Sequence, residues 1–162
     1  MSYEHFEEKE AVKTAALIET NGIKFYTILI TRVKDREIKA ILSDLARDEK
    51  KHLQVIEKMF FPRAGFTEQI TDEEVAMEAN IESSGQADIF TKHADMEAVI
   101  NMLKTPAKAL ELALEAEKYS VQFFTDLSEK AETEESRELY EELAEEEKRH
   151  VAKVEGIIER LN

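Results

Sequence analysis

The strongest constraint on the fold is that the chain matches itself when it is slid by 98 positions. Glu49-Lys-Lys-His52 reappears as Glu147-Lys-Arg-His150, and the residues before each also correspond, Leu45-Ala-Arg-Asp48 with Leu143-Ala-Glu-Glu146. The same offset lays Glu117 on Glu19, and Glu19-Thr-Asn-Gly-Ile-Lys-Phe-Tyr-Thr-Ile-Leu29 falls on Glu117-Lys-Tyr-Ser-Val-Gln-Phe-Phe-Thr-Asp-Leu127. Glu, Phe, Thr and Leu coincide, Ile faces Val, Tyr26 faces Phe124 and Gly22 faces Ser120. Roughly residues 13–58 correspond to 111–156 without an internal gap, so the chain is an internal duplication and each copy must be a complete supersecondary unit.

That unit is a helical hairpin. Only four Gly and two Pro interrupt 162 residues, and 43% of the chain is hydrophobic, enough for a core in one domain spanning 1–162. Ala11, Ala15, Ile18, Gly22, Phe25 and Leu29 recur at three- and four-residue intervals, which predicts an amphipathic helix over about 4–33. After a break near Lys34-Asp35, Ile38, Ile41, Leu42, Leu45, Leu53, Ile56 and Met59 predict a second helix over about 36–61, ended by Pro62. Thr105-Pro106 reads as an N-cap followed by proline at the first helical position, opening a helix that runs to about Ala131. Thr133 opens the last, to about Leu161. The short breaks make helices antiparallel within each hairpin. The predicted fold is therefore all-α, a four-helix bundle of two duplicated antiparallel hairpins, about 4–61 and 105–161, joined by a long crossover over about 62–104. Within the crossover, Thr71-Asp-Glu-Glu74 resembles a capping box and Met96 to Leu103 has helical periodicity, while Ser83-Ser84-Gly85 is its expected flexible point.

A single Glu-x-x-His is commonly a surface pair in a chain this rich in glutamate. The weight lies in six residues in duplicate register. Residues three apart on a helix share a face, so each tetrapeptide can aim a carboxylate oxygen and an imidazole nitrogen at one point. Adding Glu19 and Glu117 from the other helix of each hairpin gives one Glu from each of two helices plus Glu-x-x-His from each of the other two, the ligand arrangement of dinuclear iron or manganese bundles. Four carboxylates in a bundle core need protons or cations to offset desolvation and repulsion. Imidazoles favour iron, manganese or zinc over calcium or magnesium. The expected metal ligands are Glu19, Glu49, His52, Glu117, Glu147 and His150, with Glu49 and Glu147 bridging, Glu19 and Glu117 terminal, and each histidine on one metal. Glu115 is the alternative to Glu117 if the third helix is rotated, at the cost of the register. Asp48 and Glu146 are adjacent acids that face away or support the ligands. Phe25, Tyr26, Phe123 and Phe124 read as core aromatics, Tyr26 also as a candidate hydrogen-bond or electron donor at the site. Gly22 and Ser120 leave room for a small oxidant or allow close helix packing. His5 and His93 have no partner pattern.

Taken together, Glu19-x-x-Gly-x-x-Phe-Tyr26, Glu49-x-x-His52, a long crossover, Glu117-x-x-Ser-x-x-Phe-Phe124 and Glu147-x-x-His150 resemble the rubrerythrin branch of the ferritin-like superfamily over nearly the whole chain. The resemblance implies two iron ions as cofactor and oxidation of ferrous iron coupled to reduction of hydrogen peroxide or dioxygen. The ligand set alone would equally accept manganese or a mixed pair. The sequence departs from the family pattern in two ways. It has no cysteine-ligated rubredoxin domain, and the additional glutamate of the third helix, one turn after the first, falls at Ser120. An external electron donor, such as a separate rubredoxin-like protein, is therefore implied.

Composition narrows the alternatives. With no cysteine the chain holds no disulfide, thiolate zinc site or thiol nucleophile. A formal net charge of −14 argues against nucleic acid or an anionic membrane surface as partner. No apolar run approaches the roughly 18 residues of a membrane span, and the polar start is unlike a signal peptide, so a cytoplasmic protein is expected. Two other functions compete with an enzyme: an iron-binding or metal-buffering protein without turnover, and a structural or metal-sensing bundle. A homodimer is expected, its interface including Ile81, Ile89 and Phe90 of the crossover, which have no place in the helical stripes.

Overall fold

A computed structural model describes residues 3–65, 90–91 and 94–161, with residues 3–8 and 63–64 described by backbone alone. All regular structure among the described residues is helical. The chain divides into two compact units, residues 1–102 and 103–162.

In the first unit, helix α1 (Tyr3–Ile30) packs along α2 (Arg36–Val55). Five consecutive residues of α1, Ala15 to Glu19, are buried, so its middle is enclosed on more than one face, as its small and apolar residues permit. It stops short of Val33 because the chain tightens: Thr31 N–H and Arg32 N–H donate to the Ile28 and Leu29 carbonyls at 3.0 and 2.9 Å, and the Thr31 hydroxyl also reaches Ile28 O at 2.6 Å. Asp35 then caps α2, its carboxylate accepting from Glu37 N–H at 2.8 Å and Ile38 N–H at 3.2 Å. Ile38, Leu42, Leu45, Glu49 and His52 form the buried stripe of α2, at steps of four and three, so the polar pair continues the line of the apolar core.

Pro62 does not end the second helix. Residues Ile56–Phe60 form a π turn, and the chain continues as α3 (Phe61–Ala64), with Pro62 in its first turn. The Phe61 N–H bonds to the Ile56 carbonyl, one residue further back than in an α-helix. The wider turn accommodates a residue that has no N–H and whose ring would press on the carbonyl four positions before it. It also leaves both Phe60 and Phe61 buried. The true stop is Gly65, at φ +85°, in the left-handed region.

The predicted helix at the end of the crossover is present as α4 (Met96–Leu103), with the Asp95 carboxylate accepting from Ala98 N–H at 3.1 Å. Phe90, expected at a subunit contact, packs inside its own chain: its ring lies 5.2 Å from that of Phe25, and its carbonyl accepts from the buried Asn21 amide at 2.9 Å. Residues 71–74 and 83–85, with Ile81 and Ile89, lie outside the described residues.

In the second unit, α5 (Pro106–Lys130) packs along α6 (Glu134–Leu161). The Thr105 hydroxyl accepts from Lys108 N–H at 3.2 Å and the Thr133 hydroxyl from Ser136 N–H at 3.1 Å, so both threonines cap as their positions predict. Along α6 the stripe Ser136, Tyr140, Leu143, Ala144, Glu147, His150, Val154 and Ile157 is buried, while Glu138, Glu141, Glu142 and Glu145 face solvent. Among the described residues no helix is long and apolar enough to cross a membrane.

Candidate metal centre

Each unit assembles one triad of two carboxylates and an imidazole. In the first, α1 contributes Glu19, three residues before Gly22, and α2 contributes Glu49 and His52 from adjacent positions on its buried stripe. All three side chains are withdrawn from solvent, with exposures of 0, 4 and 2%. The His52 Nδ1 lies 3.4 Å from Glu49 Oε2 and 3.5 Å from Glu19 Oε2. In the second, Glu117 of α5 meets Glu147 and His150 of α6, at exposures of 4, 1 and 2%. There His150 Nδ1 lies 3.2 Å from Glu147 Oε2 and 3.7 Å from Glu117 Oε2.

These separations suit a shared cation. Oxygen and nitrogen ligands bound at about 2.0–2.2 Å stand roughly 3–3.5 Å apart around one ion, and the ligand atoms of each triad lie within 4.8 Å of one another. Two carboxylates neutralise a divalent charge, and the imidazole makes the set borderline rather than hard, which suits iron or manganese. Burial explains why a cation belongs there. The Glu117 carboxyl is pushed up to about 7, chiefly by burial and next by the neighbouring Glu147 charge, with hydrogen bonding to His150 pulling the other way.

The remaining candidates separate by exposure. Glu115 is exposed beside Lys118, at 3.7 Å, whereas Glu117 is buried. Asp48 and Glu146 are half-buried. Tyr26 is buried, edge-on to Phe25 with ring centroids 6.0 Å apart. Phe124 is fully buried, whereas Phe123 is half-buried and stacks on Tyr119 at 6.3 Å. Ser120 is buried, its hydroxyl donating to the Ala116 carbonyl at 3.0 Å. The side chains of His5 and His93 lie outside the described set. The sequence did not reveal what Gly22 faces: a Cβ there would meet the Glu49 side chain. Helical spacing alone cannot find such a contact because it crosses between two helices.

A family model described as Rubrerythrin matches residues 10–84 and 108–162, stretches that contain all six triad residues. No curated protein matches the chain. Among solved structures, a hypothetical protein from Pyrococcus furiosus is similar over 98% of this chain and 92% of its own, at 22% identity and a TM-score of 0.68. At that identity the likeness is one of fold alone.

Proposed function

The chain belongs to the rubrerythrin family, and from that premise we propose that it is a non-haem di-iron oxidoreductase that couples oxidation of ferrous iron to reduction of hydrogen peroxide or dioxygen. The observation that carries the reading is the pair of buried Glu-Glu-His triads, built at matching positions of a duplicated sequence. Glu19, Glu49 and His52 would hold one ion and Glu117, Glu147 and His150 the other. Bound iron would supply the two electrons that convert one peroxide and two protons into two waters. The chain's own part is charge neutralisation, orientation and exclusion of bulk water. The α2 and α6 stripes fix each Glu-x-x-His pair on a rigid helical face, and burial keeps competing water away. A carboxyl group held near 7, as Glu117 is, can also take up and release a proton at neutral pH before metal enters.

The absence of cysteine gives a second reading specific support. With no thiolate iron centre among these 162 residues, electrons for sustained turnover would have to come from outside them, and without such a source the protein would bind and oxidise iron once, as a metal buffer.

Anaerobic ferrous loading followed by a stopped-flow peroxide challenge distinguishes these cases. Two irons per chain and rapid formation of a ferric absorption band, lost in Glu49→Ala and Glu147→Ala, are expected. Oxidation that stops after one equivalent even with a reductant present would favour the buffer. Failure of the wild type to bind two metals would remove the di-iron reading.

A further inference from the structure

Gly22 sits in the interior of α1, where glycine lowers helix stability relative to alanine. Two common reasons for such a glycine do not apply. Its backbone does not occupy the left-handed region, since among the described residues the glycine with positive φ is Gly65. Close approach of α2 does not demand it either. A Cβ at position 22 would stand 3.5 Å from Glu49 Cγ, 3.6 Å from Cδ and 3.9 Å from Oε1, all ordinary contacts with a side chain. Alanine would therefore fit against Glu49 as it now lies, and would fill the space on the Oε1 side of its carboxylate. The other oxygen, Oε2, is the one 3.4 Å from His52 Nδ1. In the second repeat the corresponding position is Ser120, whose side chain already occupies a buried place with its hydroxyl bonded to Ala116 O.

We propose that Gly22 is a positioning residue that acts through Glu49. It keeps a methyl-sized space beside the carboxylate, so that Glu49 can turn and the Glu19–Glu49–His52 triad can admit a small anion as an added metal ligand. The two triads then differ in function, the one beside Gly22 being adaptable and the one in the Ser120 repeat closed. This inference rests on the metal-binding reading above.

Cobalt(II) substitution with azide as the small-anion probe tests it through a spectroscopic signature. The wild type should take up cobalt and shift its visible bands on azide addition. Gly22→Ala should bind the same amount of cobalt and melt about 2 °C higher, as expected for alanine in a helix, yet bind azide about tenfold more weakly, the scale on which groups supporting a metal ligand act. Gly22→Ser should reproduce the azide loss. Azide affinity within twofold of wild type in both variants, with normal cobalt uptake, would overturn this inference alone. Cobalt loss in Gly22→Ala would also overturn it, because the glycine would then be needed to hold metal rather than to free Glu49. A wild-type chain that takes up no cobalt overturns the metal reading and this inference with it.

Discussion

At the scale of single residues the protein places carboxylates where an apolar core would otherwise be. Glu117 shows the cost. Its carboxyl is raised from 4.5 to about 7, first by burial and then by the Glu147 charge. Between those two values the folded, metal-free chain binds this proton more firmly than the unfolded chain does, so folding is favoured by acid. Stability from this group is fully present below about 4.5 and is lost as pH rises through about 7, a change of roughly 3 kcal/mol. The metal-free protein should therefore melt at a lower temperature at pH 8 than at pH 5.5. Glu117→Gln, which keeps the shape without the charge, should flatten that slope and raise the melting point at pH 8. With metal bound, the same carboxylate must be ionised to serve as a ligand, so the pH trend of the loaded protein should run the opposite way. Melting curves of the metal-free wild type and variant across this range decide the matter, and an unchanged slope in Glu117→Gln would show that other groups set it.

At the scale of elements, what was legible in the sequence was what local rules govern. Thr105, Pro106 and Thr133 announced their helix starts because capping is settled within three or four residues. The buried stripes of α2 and α6 were legible because one helical face repeats at three and four. The end of α2 was not. Pro62 reads locally as a terminator, but burial of Phe60 and Phe61 keeps the chain helical and a π turn absorbs the missing N–H. Phe90 was illegible for another reason, since its place against Phe25 depends on how a crossover returns across 65 positions of sequence. The reading of the stop is testable by a contrast. Pro62→Ala should leave helical circular dichroism unchanged and the melting point within about 2 °C. Gly65→Ala, forced to φ +85°, should cost about 1–2 kcal/mol and lower the melting point by several degrees. A Pro62→Ala variant that gains helix would restore proline as the terminator.

At the scale of the whole molecule the duplication itself makes a prediction. Each unit builds its own Glu-Glu-His triad from its own pair of helices, and all six side chains are buried. Loss of one imidazole should therefore damage one metal position more than the other. His52→Ala is expected to lower ferrous or cobalt binding from two ions per chain towards one, and His150→Ala to do the same. Metal that binds only the folded state stabilises it by mass action, about 2.7 kcal/mol at a free concentration one hundredfold above Kd. For a chain of this length each kcal/mol moves the melting point by roughly 2–4 °C, so chelation should lower it in the wild type by several degrees and by about half as much in either histidine variant. The double variant should be indifferent to chelator. Equal metal content and an equal chelation shift in the wild type and both single variants would mean that the imidazoles are core residues that happen to repeat. Loss of both ions in either single variant would mean instead that the carboxylates serve the two positions jointly, a coupling that shared ligands predict and independent triads do not.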